Sequence, residues 1–306
     1  MIAPVLRAKI IIPVIFFSLV ILLSFSYYTV QVVTGVGDHV IYGKKQSEIA
    51  HEIRQELLQY PNIQKVTFKT SDKIALSGLY FKKKNAQANI LLCHGFHGFK
   101  EHMFGLLKMF PNFNILMFDF RAHGQSEGTH TSLGCHEYKD VIAGVKFLKE
   151  QCSKTIPTIA LGISMGGSSC IKALEKCPTL CDALIIDSAF SDLRKMFLRG
   201  FSLKCNLPHY PFFPILRSMF HYCARCDISK MSPVESIKHI DKPILFIHSC
   251  DDAFIPPENS LNLYAHAHNK NTKVWVGPRC RHGWLHTYYP HMYERKVQKF
   301  LKNALA

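Results

Sequence analysis

The sequence predicts an α/β fold: a mostly parallel, twisted, eight-stranded sheet with helices on both faces. Eight short strand-like runs recur through the chain, from "KVTFKT" and "IALSGLYF" through "ANILLCHG", "FNILMFDF", "TIALGIS", "ALIIDSAF" and "PILFIHS" to "TKVWVG". The first two alternate in character and read as a hairpin, whereas the later ones are continuously apolar, as strands buried on both faces must be. Helical patterns such as "GCHEYKDVIAGVKFLKE" and "SSCIKALEKC" separate the later runs. An antiparallel entry followed by βαβ units is the pattern of a doubly covered, mostly parallel sheet.

A chain of 306 residues accommodates one large domain of this kind with appendages. The first appendage is apolar. Residues 10–37 carry no charged side chain and are apolar through about Val33, and roughly twenty such residues span a bilayer as a helix. A retained N-terminal transmembrane helix over residues 1–34 is therefore expected, making the protein a single-pass membrane protein. The alternative, a cleaved signal peptide, fits less well: the run is longer than such a segment needs, and Ser24-Phe25-Ser26 is a poor cleavage site. Arg7 and Lys9 precede the span while Lys44 and Lys45 follow it, so charge leaves the side of the folded domain open.

The next segment, "KQSEIAHEIRQELLQY", repeats apolar residues at Ile49, Ile53, Leu57 and Leu58 with charges between them, the helical period. It reads as a juxtamembrane linker helix within residues 35–61, stopped by Pro61. Residues 62–306 then form the main α/β domain.

Two compositional features exclude function classes. The formal charge of +15 comes from Lys and Arg spread along the chain without a nucleic-acid-binding signature, so attraction to anionic headgroups is the better reading. Eleven scattered cysteines, an odd number, fit a reducing compartment and free thiols. Cys223 and Cys226 have C-x-x-C spacing, yet no second pair lies at ligand distance, so neither a metal nor a cofactor is expected.

In open α/β sheets the chemistry gathers at the carboxyl ends of the strands. Ser164 follows "TIALGI" in Gly162-Ile163-Ser164-Met165-Gly166 and precedes a helical pattern. This is the strand, turn and helix context of a nucleophile whose strained backbone needs small neighbours at Gly162 and Gly166. "HGFHG" follows the strand "ANILLC", where the amide of Phe96 joins that of Met165 as a pair of oxyanion donors. After "PILFIHS" come Asp251 and Asp252, with Asp252 preferred as the acid and Asp187 as the fallback. His282, in "RHGW" after the last strand, is the expected base; His286 is its competitor, and His266 and His268 read as solvated.

The order Ser164, Asp252, His282 is that of nucleophile, acid and base in α/β-hydrolases, and residues 62–306 resemble that superfamily almost throughout. "FDFRAHGQSEG" looks like its D-x-R-G-H-G-x-S-x-G segment, with Ala122 in place of a glycine. "HSCDD" is similar to its H-G-x-x-D pattern, with Ser249 in place of another. In that pattern the acid lies three residues before an Ile-Pro pair, here Ile255-Pro256, which again selects Asp252. Among subfamilies the chain looks most like membrane-tethered esterase-like hydrolases and related acyl thioesterase and S9-peptidase-type catalytic domains.

The resemblance implies a serine hydrolase acting on esters or thioesters, lipid-like ones included. An amide hydrolase and a non-catalytic hydrolase-like binding protein remain as alternatives. Residues 191–232 are too long and too aromatic for a plain connection, and read as a small cap over the site. Phe197, Phe201, Phe212, Phe213 and Phe220 there would line an acyl channel or pack in the core, and the sequence does not separate the two.

Overall fold

The computed structural model describes residues 63–151, 156–205 and 209–305, together with 44–57 and the short stretches 23–24, 40–41 and 60. The expected membrane segment of residues 1–34 lies almost wholly outside the described residues. Among those that are described, no helix is long and apolar enough to cross a membrane.

All eight predicted strands form, in one sheet. They are β1 (Ile63–Lys69), β2 (Ala75–Phe81), β3 (Ala88–Cys93), β4 (Phe113–Phe118), β5 (Thr158–Ile163), β6 (Ala183–Asp187), β7 (Ile244–Ser249) and β8 (Lys273–Gly277). Their order across the sheet is β8-β7-β6-β5-β3-β4-β2-β1. The β1–β2 hairpin is antiparallel, β2 joins β4 antiparallel, and every later pairing is parallel.

The strands buried on both faces explain themselves through the two-residue period of the side chains. Leu91, Leu116, Ala160, Leu184 and Phe246 face one core, and their neighbours Ile90, Ile115, Leu161, Ile185 and Leu245 face the other. The first core is covered by α2 (Tyr138–Gln151) and α3 (Met165–Lys176). The second is covered by a 3₁₀ helix, Lys100–Met109, and by the C-terminal helix Pro290–Ala304. The helix predicted for "KQSEIAHEIRQELLQY" also forms, as α1 (Gln46–Leu57), and its Leu57 is buried in this second core.

The described residues of the insertion after β6 include two α-helices, α4 (Leu193–Cys205) and α5 (His209–Ala224). Their Phe197, Phe213 and Phe220 join the first core, with the rings of Phe197 and Phe220 5.3 Å apart.

One expectation about the cysteines is overturned. Cys226 is not a free thiol: it forms a disulfide with Cys135, the two Cα atoms being 6.2 Å apart. The partners are 91 residues apart in sequence, so no local spacing could announce the bond. Cys93, Cys170 and Cys181 are free and buried, where they pack as small apolar side chains.

Cys135 lies in a loop that is itself strongly organised. The buried carboxylate of Glu137 accepts from the hydroxyls of Thr131 (2.7 Å) and Ser132 (2.6 Å) and from the amides of Ser132 (2.7 Å) and Gly134 (2.7 Å). Burial alone would raise its pKa, but the hydrogen bonds from Ser132 and Thr131 outweigh burial and hold it below the ordinary value. A depressed carboxyl stabilises the fold above its unfolded pKa of about 4.3, and that contribution is lost as pH falls below it. Glu137→Gln is therefore expected to lower the unfolding free energy by about 2 kcal/mol or more at pH 7. Urea melts at pH 7 and at pH 3.5 should show the deficit shrinking at the lower pH.

Candidate active site

Ser164 follows β5, at the cap of α3, with φ 54° and ψ −118°, a left-handed backbone that a side-chain-bearing residue adopts only under constraint. The constraint is visible. Its amide donates to the carbonyl of Asp187 at the end of β6 (2.8 Å), and its carbonyl accepts from Ser168 in the first turn of α3 (3.1 Å). The two glycines of the motif are required by close approach. A Cβ on Gly162 would lie 2.5 Å from the backbone of Gly166, and one on Gly166 would lie 2.4 Å from the carbonyl oxygen of Cys93.

The sequence-predicted Ser164, His282 and Asp252 are brought together in one hydrogen-bonded chain. His282 Nε2 lies 2.8 Å from Ser164 Oγ, and its Nδ1 lies 2.6 Å from Asp252 Oδ2. With a carboxylate at Nδ1, that nitrogen carries the proton, which leaves Nε2 free to accept from the serine hydroxyl. The other carboxylate oxygen, Oδ1, accepts from the amides of Phe254 and Ile255, each at 3.0 Å. Burial pushes the Asp252 carboxyl up, but hydrogen bonds from His248 and His282 hold it well below the usual carboxylate range.

His248 is the residue that sequence reasoning missed. It is fully buried behind Asp252, with Nε2 3.2 Å from Asp252 Oδ2 and 2.8 Å from the carbonyl of Ile255. Its Nδ1 faces Ser260 Oγ at 2.7 Å. The Ile255 carbonyl can only accept, so Nε2 is the donor there, and the ring holds the acid loop against Ser260. The histidine of "HSCDD" was the available signal.

The competing residues are not members of this hydrogen-bonded chain. Asp251 is exposed and paired with Arg279 at 3.0 Å. Asp187 is fully buried, and its carboxylate accepts from Ser188 Oγ at 2.8 Å. His286 lines the cleft beside the site, where burial lowers its pKa. His266 caps its own helix through Asn262, and His268 is exposed.

Both departures from the hydrolase pattern have a structural account. Ala122 adopts φ 62°, the conformation for which the usual glycine is suited. Ser249 uses its hydroxyl: Oγ shares its proton between the carbonyls of Pro278 (3.1 Å) and Cys280 (3.0 Å) and accepts from the Cys280 amide (2.9 Å). The strand end that carries Asp252 is thereby tied to the loop that carries His282.

The site opens into a cleft of about 480 Å³. Phe96 lines it, and Met165 begins α3, where the first backbone amides of a helix have no intrahelical acceptor. His94 steadies the Phe96 loop. Its Nε2 accepts from the Phe120 amide (3.0 Å), and its Nδ1 donates to the Gly95 carbonyl (2.7 Å).

The described side chains of the insertion, by contrast, are not brought to the cleft. Phe197, Phe212, Phe213 and Phe220 pack in or against the first core and are absent from the lining, and the Phe201 side chain lies outside the described residues. The expected cap over the site is thus a packed flank among the described residues. These phenylalanines have core neighbours within reach, and the disulfide holds the end of the insertion to the Glu137 loop.

This fold and site define an α/β-hydrolase. The chain belongs to the prolyl oligopeptidase family (Peptidase_S9), which matches residues 121–306. It is similar to the uncharacterized protein YqkD of Bacillus subtilis, 26% identical over 265 residues that cover 85% of this chain and 86% of that protein. It is also similar to the lysophosphatidylserine lipase ABHD12 of Macaca fascicularis, 27% identical over 59% of this chain and 46% of that one. Among solved structures, an esterase of Pyrococcus furiosus, Pf2001, shares the fold with a TM-score of 0.68. It is 24% identical and covers 88% of this chain and 98% of its own.

The glycine contacts can be tested by stability alone. Gly166→Ala should destabilise the protein by about 1–3 kcal/mol through overpacking against fixed backbone. Gly105→Ala, where an added Cβ meets nothing within 4 Å, should be neutral or slightly stabilising. Urea denaturation of the two variants checks both.

Proposed function

We propose that the protein is a serine hydrolase that cleaves carboxylic ester or thioester bonds through an acyl-enzyme on Ser164. The observation that carries this reading is the continuous Ser164–His282–Asp252 hydrogen-bond chain at the ends of β5, β7 and β8. His282 takes the proton of Ser164 as Oγ attacks the acyl carbonyl, and returns it to the leaving alcohol or thiol. Asp252 keeps the imidazole in the required tautomer and stabilises its charged form. The amides of Phe96 and Met165 receive the negative charge that develops on the carbonyl oxygen. Water, activated by the same histidine, then releases the acid.

The mostly apolar cleft favours an acyl substrate, and the lipase name of one relative supports lipid-like esters among the candidates. The family match to prolyl oligopeptidases supports a second reading, in which the bond is an amide. We assign residues 1–34 to a membrane anchor, residues 35–61 to the helical linker and residues 62–306 to the catalytic domain. The anchor rests on the uncharged run of residues 10–37.

Ser164→Ala should lose activity on the order of a millionfold in kcat and no longer react with a fluorophosphonate probe. Activity within tenfold of wild type on p-nitrophenyl esters would remove the assignment. Asp252→Asn should cost about ten-thousandfold, as a wrong tautomer does in serine proteases, whereas Asp251→Asn should change the rate less than about tenfold. Removal of residues 1–34 should release an active domain from the membrane fraction, as read by ultracentrifugation and probe labelling.

A further inference from the structure

Among the described residues, the apolar wall of the cleft does not come from the insertion. It comes in part from α1, whose Ile53 lines the cleft together with Met103 and Phe104 of the 3₁₀ helix. The seating of α1 explains this. Leu57 is buried in the core that the 3₁₀ helix also covers, and the Tyr60 ring meets Phe104 edge-on at 5.7 Å and Phe81 at 6.4 Å. Ile53 lies one helical turn before Leu57 and so shares its face. The same contacts that dock α1 therefore carry Ile53 to the cleft, while Gln55 and Glu56 stay exposed.

We propose that α1 is a wall of the acyl-binding site and that Ile53 is a specificity-determining residue. On this assignment its side chain sets the length of acyl chain accepted, and the substrates are medium- to long-chain acyl esters. The inference rests on the reading of Ser164 as nucleophile and adds the substrate class of that site. Each methylene buried against such a wall is worth roughly fourfold in binding, so a change of volume at one wall position alters the length profile more than it alters the chemistry. The helix also lies upstream of the family match over residues 121–306, so this selectivity is set by a segment outside the part of the chain that supplies Ser164, Asp252 and His282.

The test uses the full chain in detergent micelles, with p-nitrophenyl acetate, octanoate and laurate as substrates and a fluorophosphonate as the active-site probe. Ile53→Trp should lower the ratio of kcat/KM for octanoate to that for acetate by tenfold or more. Ile53→Ala should raise the laurate-to-octanoate ratio by about threefold or more. Gln55→Trp, on the exposed face of the same helix, should leave the profile as in wild type. If Ile53→Trp fails to fold, as absence of probe labelling would report, the Ile53→Ala profile decides the matter alone. Normal labelling of the Ile53 variants with an unmoved length profile would overturn this inference and leave the nucleophile standing. Absence of labelling in the wild-type chain would overturn the nucleophile and this inference with it.

Discussion

Ser164 sits where strand β5 turns into α3 with almost no space to spare, and the geometry of the site follows from that crowding. A left-handed, non-glycine backbone costs on the order of 1–3 kcal/mol and persists only where its surroundings over-determine it. Here the amide is held by Asp187 of the neighbouring strand, and the helix start is pressed against the carbonyls of Cys93 and His94. The same contacts that fix the turn bring Gly95, next to Phe96, close to the serine side chain. Ser164 and its neighbouring loop are thus products of one packing constraint.

The acid and base arrive by a different route, through polar ties between loops. Asp252 is gripped by two amides of its own loop, by His282 in front and by His248 behind. Ser249 then spans from the acid strand to the loop before His282. A glycine at position 249 could make none of these hydroxyl contacts, so the departure from the hydrolase pattern exchanges a flexible position for a tether. Buried networks of this kind are rigid because each missing partner would be costly.

The two ends of the chain's resources are used in opposite ways from those their composition suggests. The aromatic insertion is spent on packing, with Phe197, Phe213 and Phe220 in a core and Cys226 bonded to Cys135. The modest helix α1, with one apolar stripe, is docked by Leu57 so that Ile53 reaches the cleft.

The strands, the turn at Ser164 and the order Ser164, Asp252, His282 were legible because each depends on residues adjacent in sequence. Apolar runs dictate strands buried on both faces, a serine between close-packed glycines dictates the turn, and residues just after strands fall at one edge of a parallel sheet. His248 was half legible, since its motif stood in the sequence while its contact with Asp252 did not. What only the tertiary structure decided is which distant groups meet: the Cys135–Cys226 bond, the Ser249 bridge, the core placement of the insertion's phenylalanines and the arrival of Ile53 at the cleft. Sequence periodicity states which face of an element is apolar, but several apolar partners compete for that face. The choice among them is made by close packing of the whole chain, in which the partner that fills the space without a void prevails.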